Sequence, residues 1–240
     1  MKTVITQPNF LPWLGYLDRM QIADNFVLLD SVQHVKRSWQ FRNKIINRQG
    51  ETQYIGINTV KAKRDNKLSE IEISEDFKTN KIINVLKNAY RGVKRFELGL
   101  EEITKIIDLK AMSNFSYVDY IENHLNNISE IFGINLKIIR ASNLKPREME
   151  SNASEYILQI CEELNTTEYI TAIGSRSYME NQLSIFSNKK IKVSFHDLLE
   201  DSYIQEKLFY PRLSFVDFLM YKNPNDLSEY LNKNRILENS

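Results

Sequence analysis

Cysteine is almost absent: the 240 residues contain one, Cys161. A single thiol excludes an intramolecular disulfide and leaves too few thiolates for a cysteine-rich zinc or iron–sulfur site. Cys161 falls within an amphipathic helical pattern and reads as a small core residue. Histidine is nearly as sparse, with three, and neither His-x-x-x-His nor Glu-x-x-His spacing occurs, so no metal site is expected. An excess of one charge is also missing. The 32 basic and 31 acidic residues leave a net charge of +1, which gives no global attraction to nucleic acid or an anionic membrane. No run of about 18 apolar residues occurs, and the opening Lys2-Thr3-Val4-Ile5-Thr6 lacks the charged and apolar regions of a secretion signal. The expectation is a cytoplasmic protein that partners neither nucleic acid nor membrane. No repeat, low-complexity tract or Gly/Ser linker marks a boundary, so residues 1–240 read as one domain. Nothing in the sequence specifies an oligomeric state.

What the chain does have is concentrated between Gln7 and Asn43. Two of the five prolines and both tryptophans lie there. The stretch opens Gln7-Pro8-Asn9-Phe10-Leu11-Pro12-Trp13-Leu14-Gly15-Tyr16 and closes Asp30-Ser31-Val32-Gln33-His34-Val35-Lys36-Arg37-Ser38-Trp39-Gln40-Phe41-Arg42-Asn43. A pure core segment has no need of helix breakers, amides and cations together. We read it as a ligand-binding surface built on a strand and a helix.

With 42% hydrophobic residues the chain can bury a large core. Val4 to Thr6 predicts a strand stopped by Pro8, which cannot donate to a ladder. From Trp13 to Ile22 the apolar residues fall at helical spacing, and Pro12 suits a first turn. Phe26 to Leu29 is a continuous apolar strand of the kind buried on both faces of a parallel sheet. Strands at Tyr54 to Val60, Ile71 to Ile73, Leu136 to Ile139, Tyr169 to Ala172 and Lys192 to Phe195 follow. Helices are expected at Phe77 to Tyr90, Glu101 to Phe132, Ala153 to Leu164 and Tyr178 to Phe186, with Gly133 as a C-cap. This alternation predicts an α/β fold, a mostly parallel Rossmann-like sheet flanked by helices, with residues 61–132 as a helical insertion or lobe. The charged turn from Lys61 to Lys67 reads as a solvated loop.

Three groups compete as sites. Lys36, Arg37 and Arg42, with Gln33, His34, Gln40 and Asn43, suit a phosphate or carboxylate clamp, in which arginine offers a planar fork and lysine a point charge. The alternative is an exposed basic edge, on which Trp39 and His34 would be unusual. The second group is Gly174, Ser175, Arg176, Ser177 and Tyr178, between a strand and a helix. Glycine there admits a ligand to the backbone and the helix N-terminus favours an anion, although Ser175 or Ser177 equally suits an N-cap. The third is His196-Asp197, whose side chains point to opposite faces of a strand and so make no dyad. Asp217 is placed in the first turn of a helix capped by Ser214, and His124 reads as structural.

The residues Gln7-Pro8 to Tyr16, Asp30-Ser31-Val32-Gln33, Lys36-Arg37-Ser38-Trp39 and Arg42-Asn43 resemble the signature of the WbqC-like proteins. Tyr90, Ser142, Tyr169 to Tyr178, His196 and Pro211 to Asp217 follow in the same order, so the resemblance spans nearly the whole chain. It implies a bacterial protein encoded among genes for surface polysaccharide, such as lipopolysaccharide O-antigen, and for modified sugars. The layout around Trp13-Leu14-Gly15-Tyr16 is also similar to HxGH nucleotidylyltransferase-like folds, with Trp13 and Tyr16 in the places of the histidines.

With that resemblance, the expected function is transfer of an acyl or aminoacyl group to the amine of a nucleotide-linked amino sugar. Lys36, Arg37 and Arg42 would hold phosphates, Trp13, Tyr16 and Trp39 would form an aromatic wall, and His34 would be the catalytic base. Gln7, Pro8, Asp30, Gln33, Asn43, Gly174, Ser175, Arg176 and Tyr178 complete the expected binding set. No motif demands a cofactor; coenzyme A or a carrier-protein thioester would be the donor, with an acyl carrier protein as partner. The alternatives are a nucleotidyl- or adenylate-transferring enzyme and a non-catalytic sugar-nucleotide-binding or scaffold protein.

Overall fold

The computed structural model describes residues 1–108, 115–149, 151–203 and 209–239. Its elements run β1 (Lys2–Thr6), α1 (Leu14–Ile22), β2 (Asn25–Leu28), β3 (Arg42–Ile46), β4 (Thr52–Gly56), α2 (Thr79–Tyr90), α3 (Phe96–Ile106) and α4 (Tyr117–Phe132). Then come β5 (Ile138–Arg140), α5 (Ala153–Glu163), β6 (Glu168–Ala172), α6 (Arg176–Met179), α7 (Leu183–Ser187), β7 (Lys192–Leu198), α8 (Phe215–Tyr221), α9 (Leu227–Asn234) and β8 (Arg235–Asn239).

Six strands form one sheet in the order β5-β2-β1-β6-β7-β8. All neighbours in it are parallel except β8, which runs antiparallel to β7. This is the Rossmann order: the chain walks outward from β1 through β2 to β5, then returns to β6 on the other side of β1. Both faces are covered. Alternation sends Val4, Phe26, Leu28 and Ile170 into one apolar cluster with Leu17 of α1, Leu125 of α4 and Phe218 of α8. Ile5, Val27, Tyr169 and Phe195 enter the other with Tyr156 and Ile160 of α5 and Phe186 of α7. The period of two along a strand dictates that split. Cys161 is buried in the second cluster, and burial pushes its thiol up to about 12, so it is an inert packing group.

The antiparallel hairpin β3–β4 stands apart from the sheet, with Ile45, Ile46 and Ile55 in the first cluster. Residues 61–132 carry α2, α3 and α4, and Ile82, Leu86, Ile103 and Tyr120 join that same cluster. The expected helix from Glu101 to Phe132 is two helices, with residues 109–114 between them outside those described. Ser116 starts the second by accepting from the Asp119 amide at 3.2 Å, and Gly133 ends it at φ 65°, a left-handed C-cap. Ile71 to Ile73 forms only the isolated bridges Thr59–Ile73 and Glu72–Ser116. The expected helix Tyr178 to Phe186 is broken into α6, a 3₁₀ turn over Glu180–Gln182, and α7.

Candidate functional site

The two halves of the Gln7–Asn43 stretch are tied together above the sheet. The Phe10 amide donates to the Trp39 and Gln40 carbonyls at 3.3 and 3.1 Å, and Gln40 Nε2 donates to Gln7 Oε1 at 2.8 Å. The Tyr117 hydroxyl reaches the carbonyls of Gln40 at 2.5 Å and Pro8 at 3.3 Å, and Tyr16 donates to the Gln7 carbonyl at 3.2 Å. Asn43 Nδ2 donates to the Leu11 carbonyl at 2.8 Å. Prolines and amides together therefore hold two loops in one conformation, since a buried backbone group away from regular structure needs a partner.

Those loops wall a cavity of about 500 Å³ at the carboxyl ends of β1 and β6. This is the topological switch point, where open α/β sheets bind ligands. Thr6, Gln7, Asn9, Ser38, Gln40, Thr171 and Ser175 supply its polar groups, and Trp39, Tyr156, Tyr169 and Tyr178 its aromatic ones. Ser175 Oγ donates to the Ala172 carbonyl at 2.8 Å, so Thr171 Oγ1 is the donor in their 2.9 Å contact. Gly174 lies on the rim with open space where a Cβ would stand. No carboxylate lines the cavity among the described residues.

Arg19 does line it. Its side chain lies back along α1, with Nε donating to the Gly15 carbonyl at 3.3 Å and the guanidinium 5.4 Å from the Tyr16 ring centroid. Helical side chains tilt toward the N-terminus, and this tilt brings the cation up to the carboxyl edge of the sheet. Arg19 is 6% exposed, and burial lowers its pKa, with Tyr16, Tyr169 and Asp18 acting in the opposite direction.

The basic residues occupy a second hollow of about 670 Å³, against the β3–β4 hairpin. His34, Lys36, Arg37, Arg42, Tyr54 and Lys61 line it, and Asp76 is its one acid among the described residues. Arg42 stacks on Tyr54 at 4.1 Å, and Lys44 lies between Tyr54 and Trp39 at 5.8 and 5.7 Å. Arg37 adopts φ 58°. His34 Nδ1 is 3.1 Å from the Asn66 carbonyl. A carbonyl can only accept, so Nδ1 is the donor, and in the neutral ring Nε2 is then the acceptor. Gln33 Nε2 donates to the Arg64 carbonyl at 2.6 Å, which ties the Lys61 to Lys67 turn to this loop. The segment from His34 to Gln40 divides the hollows: Ser38, Trp39 and Gln40 face the switch-point cavity, while His34, Lys36 and Arg37 face the groove.

The remaining expected site residues are engaged within the fold. Asp30 is buried and accepts from the Ser142 amide and hydroxyl at 2.8 and 2.6 Å. Asn43 spans Leu11 and Lys44. The Trp13 ring lies over Gly15, where a Cβ would approach it to 2.2 Å, and the Arg212 guanidinium lies 5.6 Å from the Trp13 ring centroid. Tyr16 is fully buried. Arg176 pairs with Glu238 at 2.5 Å and lies 4.7 Å from the Phe195 ring centroid.

Two features escaped the sequence reading. Arg19 stood inside an expected helix, between Asp18 and Met20, and showed no local signal. Asp18, beside it, is fully buried and meets His196 Nε2 at 2.6 Å and Arg235 Nε at 2.9 Å, with Arg235 Nη2 on its other oxygen. His196 thus turns inward to a partner 178 positions away in the chain, while Asp197 turns outward to the Leu198 amide. Asp217 is in the first turn of α8 as expected. It is buried and accepts from Tyr90 at 2.7 Å and Tyr203 at 2.9 Å. His124 is buried in the core, its Nε2 accepting from the Leu11 amide at 3.3 Å. Among the described residues no group of three or more His, Cys, Asp or Glu could hold a metal ion, and no helix is long and apolar enough to cross a membrane.

The chain is an α/β protein with a mostly parallel sheet in Rossmann order and a switch-point cavity beside a cationic groove. The chain belongs to the WbqC-like protein family, whose model matches residues 7–229. It is also similar to the uncharacterized protein Rv1507c of Mycobacterium tuberculosis, with 27% identity over 223 residues covering 91% of this chain and 92% of that protein. No solved structure matches the chain.

Proposed function

We propose that this protein is an enzyme of surface-polysaccharide sugar modification that transfers an acyl or aminoacyl group to the amine of a nucleotide-linked amino sugar. The observation that carries this reading is the pair of adjoining hollows on one loop, one cationic and one aromatic and hydroxyl-rich. Two substrates need two subsites. Lys36, Arg37 and Arg42, none of them paired with a carboxylate among the described residues, would take the diphosphate of the sugar nucleotide, as guanidinium forks and ammonium charges do. The switch-point cavity would take the group being transferred.

In the step itself the sugar amine attacks the carbonyl carbon of a thioester. A C–N bond forms, the C–S bond breaks, the thiolate leaves, and the amine gives up a proton. His34, with Nε2 as its free acceptor, would receive that proton. The test is a thermal-shift screen of nucleotide sugars, coenzyme A thioesters and ATP on the wild type and Arg42→Ala, followed by turnover assays on His34→Ala. A sugar nucleotide should raise the melting temperature of the wild type and do so less in Arg42→Ala. A shift with none of these compounds sinks the proposal. Full turnover by His34→Ala removes His34 from the chemistry.

A further inference from the structure

Resting on the reading of the switch-point cavity as a ligand site, we infer that Arg19 is the receptor for a carboxylate group on the ligand held there. Arg19 is 6% exposed, yet no carboxylate among the described residues forms an ion pair with it. Its one neighbouring acid, Asp18, is turned away and taken by His196 and Arg235. Nε is committed to the Gly15 carbonyl, so the two terminal nitrogens are the donors left, and Arg19 borders the cavity. A buried cation needs a counter-charge, and among the described residues no carboxylate is bonded to this one, Asp18 acting on it only through space.

Charge and shape select the partner. Arg147, the other cation at the cavity, is exposed at the rim and bonded to Ser151. Among the described residues the buried part of the site therefore offers a single positive charge. A carboxylate is a monoanion whose two oxygens match two guanidinium nitrogens in one plane. A terminal phosphate near neutral pH carries closer to two charges and would leave one unmatched in a site without a second buried cation. The Tyr169 ring and the Thr171 and Ser175 hydroxyls, all at the cavity wall, suit the short organic body that bears the carboxylate. That body is either a free amino acid or the uronic form of the nucleotide-linked sugar.

The experiment is isothermal titration of the full chain with two carboxylate probes and their neutral counterparts: the common amino acids against their amides, and UDP-glucuronate against UDP-glucose. Inorganic phosphate serves as competitor. Four proteins are compared: wild type, Arg19→Gln, Arg19→Lys, and Gly174→Trp, whose new ring would fill the open space at the rim. The expected result is that one carboxylate probe binds the wild type and its neutral counterpart does not. Binding weakens at least about tenfold in Arg19→Gln, weakens less in Arg19→Lys, is lost in Gly174→Trp and is unaffected by phosphate. Retention of an amino acid points to the transferred group, and retention of UDP-glucuronate to the sugar. If binding survives Arg19→Gln but not Gly174→Trp, the carboxylate inference falls and the cavity reading stands. Binding that survives both variants overturns both. Displacement by phosphate, or binding of neither carboxylate to the wild type, also overturns the inference. Should Arg19→Gln fail to fold, Arg19→Lys carries the comparison, because only the planar fork is lost.

Discussion

Asn43 holds Leu11 in a backbone conformation that leucine avoids. Its Nδ2 donates to the Leu11 carbonyl at 2.8 Å while Leu11 stands at φ 43°, and His124 accepts from the Leu11 amide at 3.3 Å. A non-glycine residue in the left-handed region costs roughly 1–3 kcal/mol and persists only where its surroundings enforce it. Asn43→Ala removes one of the two enforcing bonds and leaves a buried carbonyl unpaired. We expect a loss of about 1–3 kcal/mol in urea denaturation. Faster amide exchange from Phe10 to Trp13 should accompany it, and unchanged exchange there would show that Asn43 does not anchor the loop.

His124 couples the same loop to acid. Burial drives its pKa from 6.5 down to about 3, with the nearby Ile106 backbone opposing, so the folded protein keeps it neutral. Between pH 6.5 and 3 the unfolded chain binds a proton that the native state refuses, and stability falls as pH drops through that window. At pH 5 the contribution is on the order of 2 kcal/mol. His124→Gln retains an acceptor for Leu11 but cannot titrate. Its stability should change less than the wild type's between pH 6.5 and 5, and identical slopes would rule out His124 as the source.

Glu200 works in the opposite direction. Burial pushes its carboxyl up to about 7, against the lowering effect of the Arg212 amide and charge. Between pH 4.5 and 7 the native state holds a proton that the unfolded chain has released, so stability falls as pH rises across the same range. In Glu200→Gln that decline should disappear, which denaturation midpoints at pH 5, 6 and 7 would register. The His124 and Glu200 effects oppose each other in the wild type, and only the single variants separate them.

Arg235 begins the last strand and closes the Asp18 node. With Arg235→Ala the fully buried Asp18 carboxylate keeps only His196. Breaking a buried pair from one side costs about 3–5 kcal/mol, and β8 should loosen from β7. Denaturation together with amide exchange along Arg235–Asn239 measures both. A loss below about 1 kcal/mol would mean that water already screens the node.

Much of the architecture was legible in the chain. Phe26 to Leu29 announced a strand buried on both faces, the proline after β1 marked where it stops, and Gly133 capped its helix. The Gln7–Asn43 stretch was recognisable as special because breakers, amides and cations rarely share a segment. Its internal division was not. Trp39 faces one hollow and His34 the other, and Asp30 and Asn43 act as braces, because each side chain's direction depends on loops that fold against one another. The hairpin strand β3 and the charged edge strand β8 also lacked an apolar alternation to reveal them.

Asp18 and Arg19 show where the boundary falls. The sequence by itself placed both on a helix between two strands, an assignment that needs only local periodicity. Which of the two would be neutralised was decided by the tertiary structure, because the partners of Asp18 lie at positions 196 and 235 on strands at the far side of the sheet. Those strands deliver a histidine and an arginine to the acid and no acid to the arginine. Local pattern sets backbone geometry over a few residues, while the state of a buried charge depends on whatever long-range packing brings within a few ångströms of it.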